Sequence, residues 1–218
     1  MRSSPRLSSE AFAQLVKIGN QKSYAAGSEI LLEGQDVTHV SLVETGIVKL
    51  LCRTVDGSSV LQGVLGPGDI VGLESIDGQG SMFSAYSVVD LNVTAIDFEA
   101  FTDALSGSKK LSLEIAKQIS GRLREASRRR LDFSAYDVHL RVLRVLRELS
   151  DRFGEIQSDG SVVIRLGLSQ GQIGQLVGAG EASVGRAIRL LREKGLLETG
   201  MRSMVLRKRA LDFDVNVE

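Results

Sequence analysis

Cysteine and histidine are nearly absent. One cysteine, Cys52, stands in 218 residues, so the chain can form no internal disulfide and no multi-cysteine zinc or iron–sulfur site. The two histidines, His39 and His139, lie a hundred positions apart. A mononuclear catalytic metal site draws on two or three imidazoles, so no metal site is predicted and no enzyme is expected. No apolar run approaches the roughly 20 residues of a membrane span, and no membrane partner is expected. The opening MRSSPRLSSEAF has arginines without an apolar run behind them. It does not read as a secretory signal, and a cytoplasmic location is expected.

What is present is an ordinary globular composition, 43% hydrophobic and 25% charged, in a chain long enough for one large domain or two small ones. The net charge is zero but uneven. Residues 1–110 hold 8 Lys+Arg against 13 Asp+Glu, 111–136 hold 6 against 3, and 137–218 hold 13 against 11. An acidic front and a basic back predict two modules, the second able to meet a polyanion.

The front reads as strands: EILLE (29–33), THVSLVE (38–44), IVKLLCRTV (47–55), SVLQGVL (59–65), MFSAYSV (82–88) and LNVTAID (91–97). Gly34, Gly46, Asp56-Gly57, Gly66-Pro67-Gly68 and Asp77-Gly78 supply turns between them. Strands at this spacing without helices between them predict an antiparallel sandwich or barrel. Within it, Cys52 reads as a small buried hydrophobe.

From about residue 98 the period changes. Leu111, Ile115, Ile119 and Leu123, then Ala126 and Leu131, form one stripe of a long helix. The helix runs further than a small barrel could cover, so pairing with a second copy is favoured. Arg128-Arg129-Arg130 reads as a solvated helix end that complements the helix dipole. Ser134-Ala135-Tyr136 breaks the pattern, and Asp137 is placed to cap a new helix that buries Val138, Val142, Val145 and Leu149. Arg141, Arg144 and Arg147 fall on its other faces.

The informative segment is 168–197. Ser169 with Gln172 fits a capping box, and Gly178-Ala179-Gly180 a tight turn. A second helix follows from Glu181, burying Val184, Ile188 and Leu191. Two short helices about a glycine turn are the layout of a helix-turn-helix, whose second helix enters the major groove of double-stranded DNA. Glu181, Ala182, Ser183, Arg186 and Arg189 are the candidate groove residues, with Arg186 able to grip a guanine edge through two N–H groups. Ser169 and Gln170 suit phosphate contacts. ETGMRSMVLRKR then predicts two strands with Arg202 at the tip between them.

These segments together resemble the cyclic-AMP receptor protein/fumarate-nitrate reduction regulator (CRP/FNR) family of bacterial transcription factors. The resemblance rests on YAAGSEILLEGQ (24–35), GPGDIVG (66–72), DVHLRVLRVL (137–146), IGQLVG (173–178) and VGR (184–186). It implies an α+β fold: a jelly-roll effector domain over 1–106, a dimerisation helix over 107–134 and a winged helix-turn-helix domain over 135–218. It also implies a homodimer on a palindromic site, with RNA polymerase as a further partner. Arg186 matches the family arginine that reads guanine. Glu181 and Ala182 stand where members resembling the cyclic-AMP receptor have Arg and Glu, so a different half-site is expected.

The effector pocket implied by the resemblance comprises Gly72, Leu73, Glu74, Phe83 and Ser84. Cyclic-nucleotide binders of the family use a Gly-Glu pair and an Arg-Ser or Arg-Thr pair. Here Leu73 follows Gly72, with Glu74 one position late, and Phe83 precedes Ser84. No basic residue occurs between Arg53 and Lys109. Ordinary cyclic-AMP binding is therefore not expected, although a backbone nest can still hold an anion. An iron–sulfur cluster is excluded by the cysteine count, and neither Cys52 nor His39 resembles a haem ligand of the family. No cofactor is predicted; an unidentified effector, or a dimer that needs none, remains. The rival readings are a ligand-binding or protein-interaction regulator with a degenerate DNA module, and a regulator responding to cyclic nucleotides through a non-standard pocket.

Overall fold

The computed structural model describes residues 6–213. The chain divides into two compact units, one over residues 4–124 and one that begins at Glu125. The first opens with helix α1 (Ser9–Ile18) and strands β1 (Asn20–Tyr24), β2 (Glu29–Leu31), β3 (His39–Thr45), β4 (Val48–Arg53), β5 (Ser59–Leu65) and β6 (Ile70–Val71). A single 3-10 turn (Leu73–Asp77) separates β6 from β7 (Ser84–Ser87) and β8 (Leu91–Asp97), and helix α2 (Phe98–Gly107) closes the unit's β layer. The strands form two antiparallel four-stranded sheets, ordered β1-β8-β3-β6 and β2-β7-β4-β5, which is the expected jelly roll. Val43, Val48, Leu50, Leu65, Val71, Ala85, Leu91 and Val93 form one core cluster. A second cluster joins Leu42, Ile70 and Ile96 to Leu15 of α1 and Phe101 of α2.

The expected buried setting of Cys52 is not found: β4 forms, but the side chain is only half-buried. Its Sγ lies 3.6 Å from Glu33 Oε1. Partial burial and the neighbouring carboxylate push the thiol pKa up.

Helix α3 (Lys109–Ala135) is one continuous element. The expected single stripe divides. Leu111 and Ile115 are buried in the barrel-side core, whereas Ile119 is 39% and Leu123 66% exposed. The reason is geometric: a four-residue step overshoots a helical turn by about 40°, so a stripe of fours migrates round the helix. The stripe that stays on the inner face alternates steps of four and three. It runs Leu111, Ile115, Gln118, Arg122, Glu125, Arg129 and Asp132. Gln118 Nε2 donates to the Gly68 carbonyl at 2.7 Å, and Arg122 Nη2 to the Ile70 carbonyl at 2.6 Å.

In the second unit α3 is followed by α4 (Val138–Phe153), β9 (Gly154–Ile156), β10 (Val162–Ile164), α5 (Gln170–Val177), α6 (Glu181–Glu193), β11 (Leu197–Gly200), β12 (Ser203–Leu206) and α7 (Lys208–Asp212). The small sheet runs β11-β12-β10-β9, all antiparallel. Asp137 is the N-cap of α4, though its side chain makes no capping hydrogen bond.

An ionic ladder joins the last turns of α3 to α4. Glu125 pairs with Arg152 at 3.8 Å, Arg129 with Glu148 at 2.5 Å and Asp132 with Arg144 at 2.8 Å. Descending numbers on α4 meet ascending numbers on α3, the register of an antiparallel helical hairpin. The Arg141 guanidinium caps it over the Phe133 ring, and that of Arg144 over Tyr136. The expectation of a solvated end at Arg129 is therefore corrected, and the arginines of α4 are bound as well. Arg141 is buried and donates to the Val177 carbonyl at 2.7 Å, and Arg147 donates to the carbonyls of Ala210 and Phe213.

Candidate nucleic-acid interface

Local chemistry accounts for the helix pair. Ser169 Oγ accepts from the Gln172 backbone N–H at 3.1 Å, and Gln172 Oε1 accepts from the Ser169 N–H at 3.1 Å, so both halves of the capping box exist. Gly178 ends α5 at φ 64°, a left-handed position that suits glycine. Gly174 permits the close crossing: a Cβ there would lie 2.3 Å from the Ala179 carbonyl oxygen. Ile173, Leu176, Val177, Val184, Ile188 and Leu191 fill the space between the helices and α4.

The opposite face of α6 carries the charge. Glu181, Ala182, Arg186 and Arg189 are exposed, and Ser183 is half-buried. Arg186 Nη2 donates to Ser183 Oγ at 2.8 Å, one helical turn earlier, which restrains the guanidinium near the N-terminal end of α6. A cleft of about 510 Å³ runs between α5, α6 and the β11–β12 hairpin. Ser169, Gln170, Ala182, Arg186, Arg189 and Arg202 line it, together with Arg192, which sequence reasoning missed. Arg192 lies six residues after Arg186 on α6, and only the assembled hairpin shows that it shares the cleft.

Gln170 packs on α6, where its Oε1 would lie 3.0 Å from a Cβ added at Gly185. Glu181 and Ser183 are not among the cleft-lining residues. Glu181 Oε2 lies over the start of α5, 3.3 Å from the position of a Cβ at Gly171. Arg202 sits at the hairpin tip with φ 57°, a left-handed value that non-glycine residues adopt at a cost.

The five expected effector residues cluster about the 3-10 turn of the first unit. Gly72 precedes the turn at φ 81°, and Leu73 is fully buried. Phe83 packs against the barrel core, and Ser84 Oγ accepts from the Glu33 backbone N–H at 3.1 Å. Glu74 Oε2 is buried without a hydrogen bond and faces Arg122 Nη1 at 3.8 Å. The cation that the local sequence lacks thus arrives from α3. No signal near Glu74 could have announced Arg122.

Two family models match the chain in tandem, the cyclic nucleotide-binding domain over residues 21–108 and the Crp-like helix-turn-helix domain over 140–212. This chain belongs to the CRP/FNR family. The CRP-like cAMP-activated global transcriptional regulator of Mycobacterium tuberculosis is 27% identical over 197 residues, covering 90% of this chain and 88% of that protein. The cAMP-activated global transcriptional regulator Vfr of Pseudomonas aeruginosa is 26% identical, covering 86% and 89%. Among solved structures, FixK2 from Bradyrhizobium japonicum superposes with a TM-score of 0.76 at 26% identity, covering 89% of this chain and 96% of that one. This CRP/FNR protein is accordingly a transcription regulator with a helix-turn-helix DNA-binding domain and a cyclic-nucleotide-binding-type barrel. Among the described residues no helix is long and apolar enough to cross a membrane.

Proposed function

We propose that this regulator acts in the cytoplasm as a homodimer on a two-fold symmetric DNA site and contacts RNA polymerase from there. In this reading the jelly roll is 1–106, the dimerising helix 107–134 and the winged domain 135–218. Arg186 reads a guanine edge, and Ser183 and Arg189 assist it. Ser169, Gln170 and Arg202 hold the backbone. The observation that carries the reading is the convergence of Arg186, Arg189 and Arg202 with Ser169 and Gln170 on one cleft. Ala182 removes the carboxylate that cyclic-AMP-receptor-like members place there, and Glu181 brings one to the preceding position, so the preferred half-site differs from theirs.

The effector of this proposal is not cyclic AMP held in the ordinary way. Leu73 and Phe83 occupy apolar surroundings where the nucleotide binders carry Glu and Arg, and Glu74 already faces Arg122.

Selection of random duplexes on the purified chain, with and without cyclic AMP, tests both parts. A two-fold symmetric motif in both arms is expected. Arg186→Ala then weakens the selected site by about 1–3 kcal/mol and random DNA little. Equal losses on both would remove the base-reading role, and a motif that requires cyclic AMP would overturn the view of the pocket. A second reading, a degenerate DNA module, draws on the Glu181 carboxylate lying over α5; it predicts binding no tighter than about 10⁻⁴ to 10⁻⁶ M on any sequence.

A further inference from the structure

The outer face of α3 carries a second heptad stripe, offset by one residue from the inner one: Ala116, Ile119, Leu123, Ala126, Arg130 and Phe133. Steps of three and four alternate throughout, and all six residues are exposed. This is the spacing of a coiled-coil seam. Given the homodimer proposed for this chain, on which the inference rests, a two-fold symmetric DNA site needs both winged domains at the same end of the pair. The two α3 helices then run parallel. Each seam residue faces its own copy across the axis, and Arg130 meets Arg130 of the partner subunit.

That position is chemically unlike its neighbours. Ala126 precedes Arg130 on the seam and Phe133, 60% exposed, follows it. The nearest acids on the helix are already committed, Glu125 to Arg152 and Asp132 to Arg144. The stretch 122–133 holds five arginines and only these two acids. Two guanidinium groups brought together at an apolar axis repel, and carboxylates are not at hand to compensate. A tetrahedral oxyanion offers each guanidinium a bidentate acceptor and neutralises the pair. The small Ala126 side chain leaves room beside it.

We propose that paired Arg130 side chains form an oxyanion-binding site on the dimer axis, taking inorganic phosphate, sulfate or a ligand of that chemistry, and that its occupancy tightens the dimer.

Sedimentation velocity of the full chain tests this, with phosphate or sulfate compared with chloride at equal ionic strength. The wild-type dimer is expected to tighten on the order of tenfold in phosphate or sulfate relative to chloride. Arg130→Leu should dimerise tightly in every salt. Arg130→Lys, which keeps the charge but not the planar fork, should stay weak in chloride and respond less to phosphate. Equal responses of wild type and Arg130→Leu, or identical wild-type behaviour in phosphate and chloride, would overturn the site while leaving the dimer intact. A wild-type chain that stays monomeric in every salt, and that Leu123→Glu does not alter, would overturn the dimer reading and the site with it.

Discussion

Removing Glu148 tests whether the ladder between α3 and α4 is an energetic element or ornament. Its carboxylate sits 2.5 Å from Arg129, with side-chain exposures of 6% for Glu148 and 22% for Arg129. Glu148→Ala leaves a largely desolvated guanidinium without this carboxylate. Breaking a buried pair from one side costs about 3–5 kcal/mol, and the residual exposure of Arg129 places the expected loss near the lower bound, about 3 kcal/mol. Replacing both partners, Arg129→Met with Glu148→Leu, removes both charges together and should cost less than about 1 kcal/mol. The signature is therefore a double variant more stable than the single one. Urea unfolding followed by far-UV circular dichroism measures the totals, and amide hydrogen exchange of α4 locates the loss in the winged unit. A single-variant cost below about 1 kcal/mol, or a double variant worse than the single, would refute the argument.

Individual contacts give three further expected outcomes. Arg122→Leu leaves the half-buried Glu74 carboxylate without its cation; a loss of about 1–3 kcal/mol in barrel stability is expected, and an unchanged melting temperature would show the pairing is incidental. Gly174→Ala drives a methyl group into the Ala179 carbonyl, so a destabilisation of about 1–3 kcal/mol is expected, accompanied by weaker DNA binding; a neutral variant in a melting assay would contradict it. Burial, with a smaller contribution from Lys22 and against the pull of Asp97, holds the His39 pKa below its ordinary 6.5. The unfolded chain therefore takes up this proton first as pH falls below about 6.5, and stability drops until the folded-state pKa is passed. His39→Asn should flatten the stability profile in the window just below about pH 6.5, and identical slopes would exclude the effect.

How much of this was legible in the sequence depended on the distance between partners. The capping box of Ser169 and Gln172, the left-handed Gly178, the start of α6 at Glu181 and the hairpin around Arg202 are short-range features. Each is specified within three or four residues, and the structure has each where the pattern put it. The strands that the pattern named behave likewise, because alternation and glycine turns are local, whereas β1, β6, β9 and β10 were not read from it. The arginines do not. The partners of Arg122, Arg141, Arg144 and Arg147 were not legible, because a long cationic side chain has the same local pattern in water as against a distant acid or carbonyl. Those partners, Glu74, Val177, Asp132 and Ala210, come from other elements.

Helix α3 shows the same limit on a larger scale. Its apolar residues recur every four positions, and that spacing reads as one stripe. Packing resolves it into two, because only a mixed three-and-four step keeps to one face of a helix. The inner stripe passes from leucine and isoleucine to glutamine and then to alternating charges, each polar member with a partner within the chain. The outer stripe keeps Ile119, Leu123 and Phe133 exposed. Polarity along the inner face therefore answers to partners already present, whereas on the outer face Ile119 and Leu123 are exposed apolar side chains and Phe133 lies under the Arg141 guanidinium. A helix in that condition is accounted for by a second surface of the same periodicity, and a copy of α3 supplies one. The arginine at position 130 is the one member of the outer stripe that a purely adhesive seam would not contain, which is why its replacement separates a seam that only holds the dimer from one that also senses an anion.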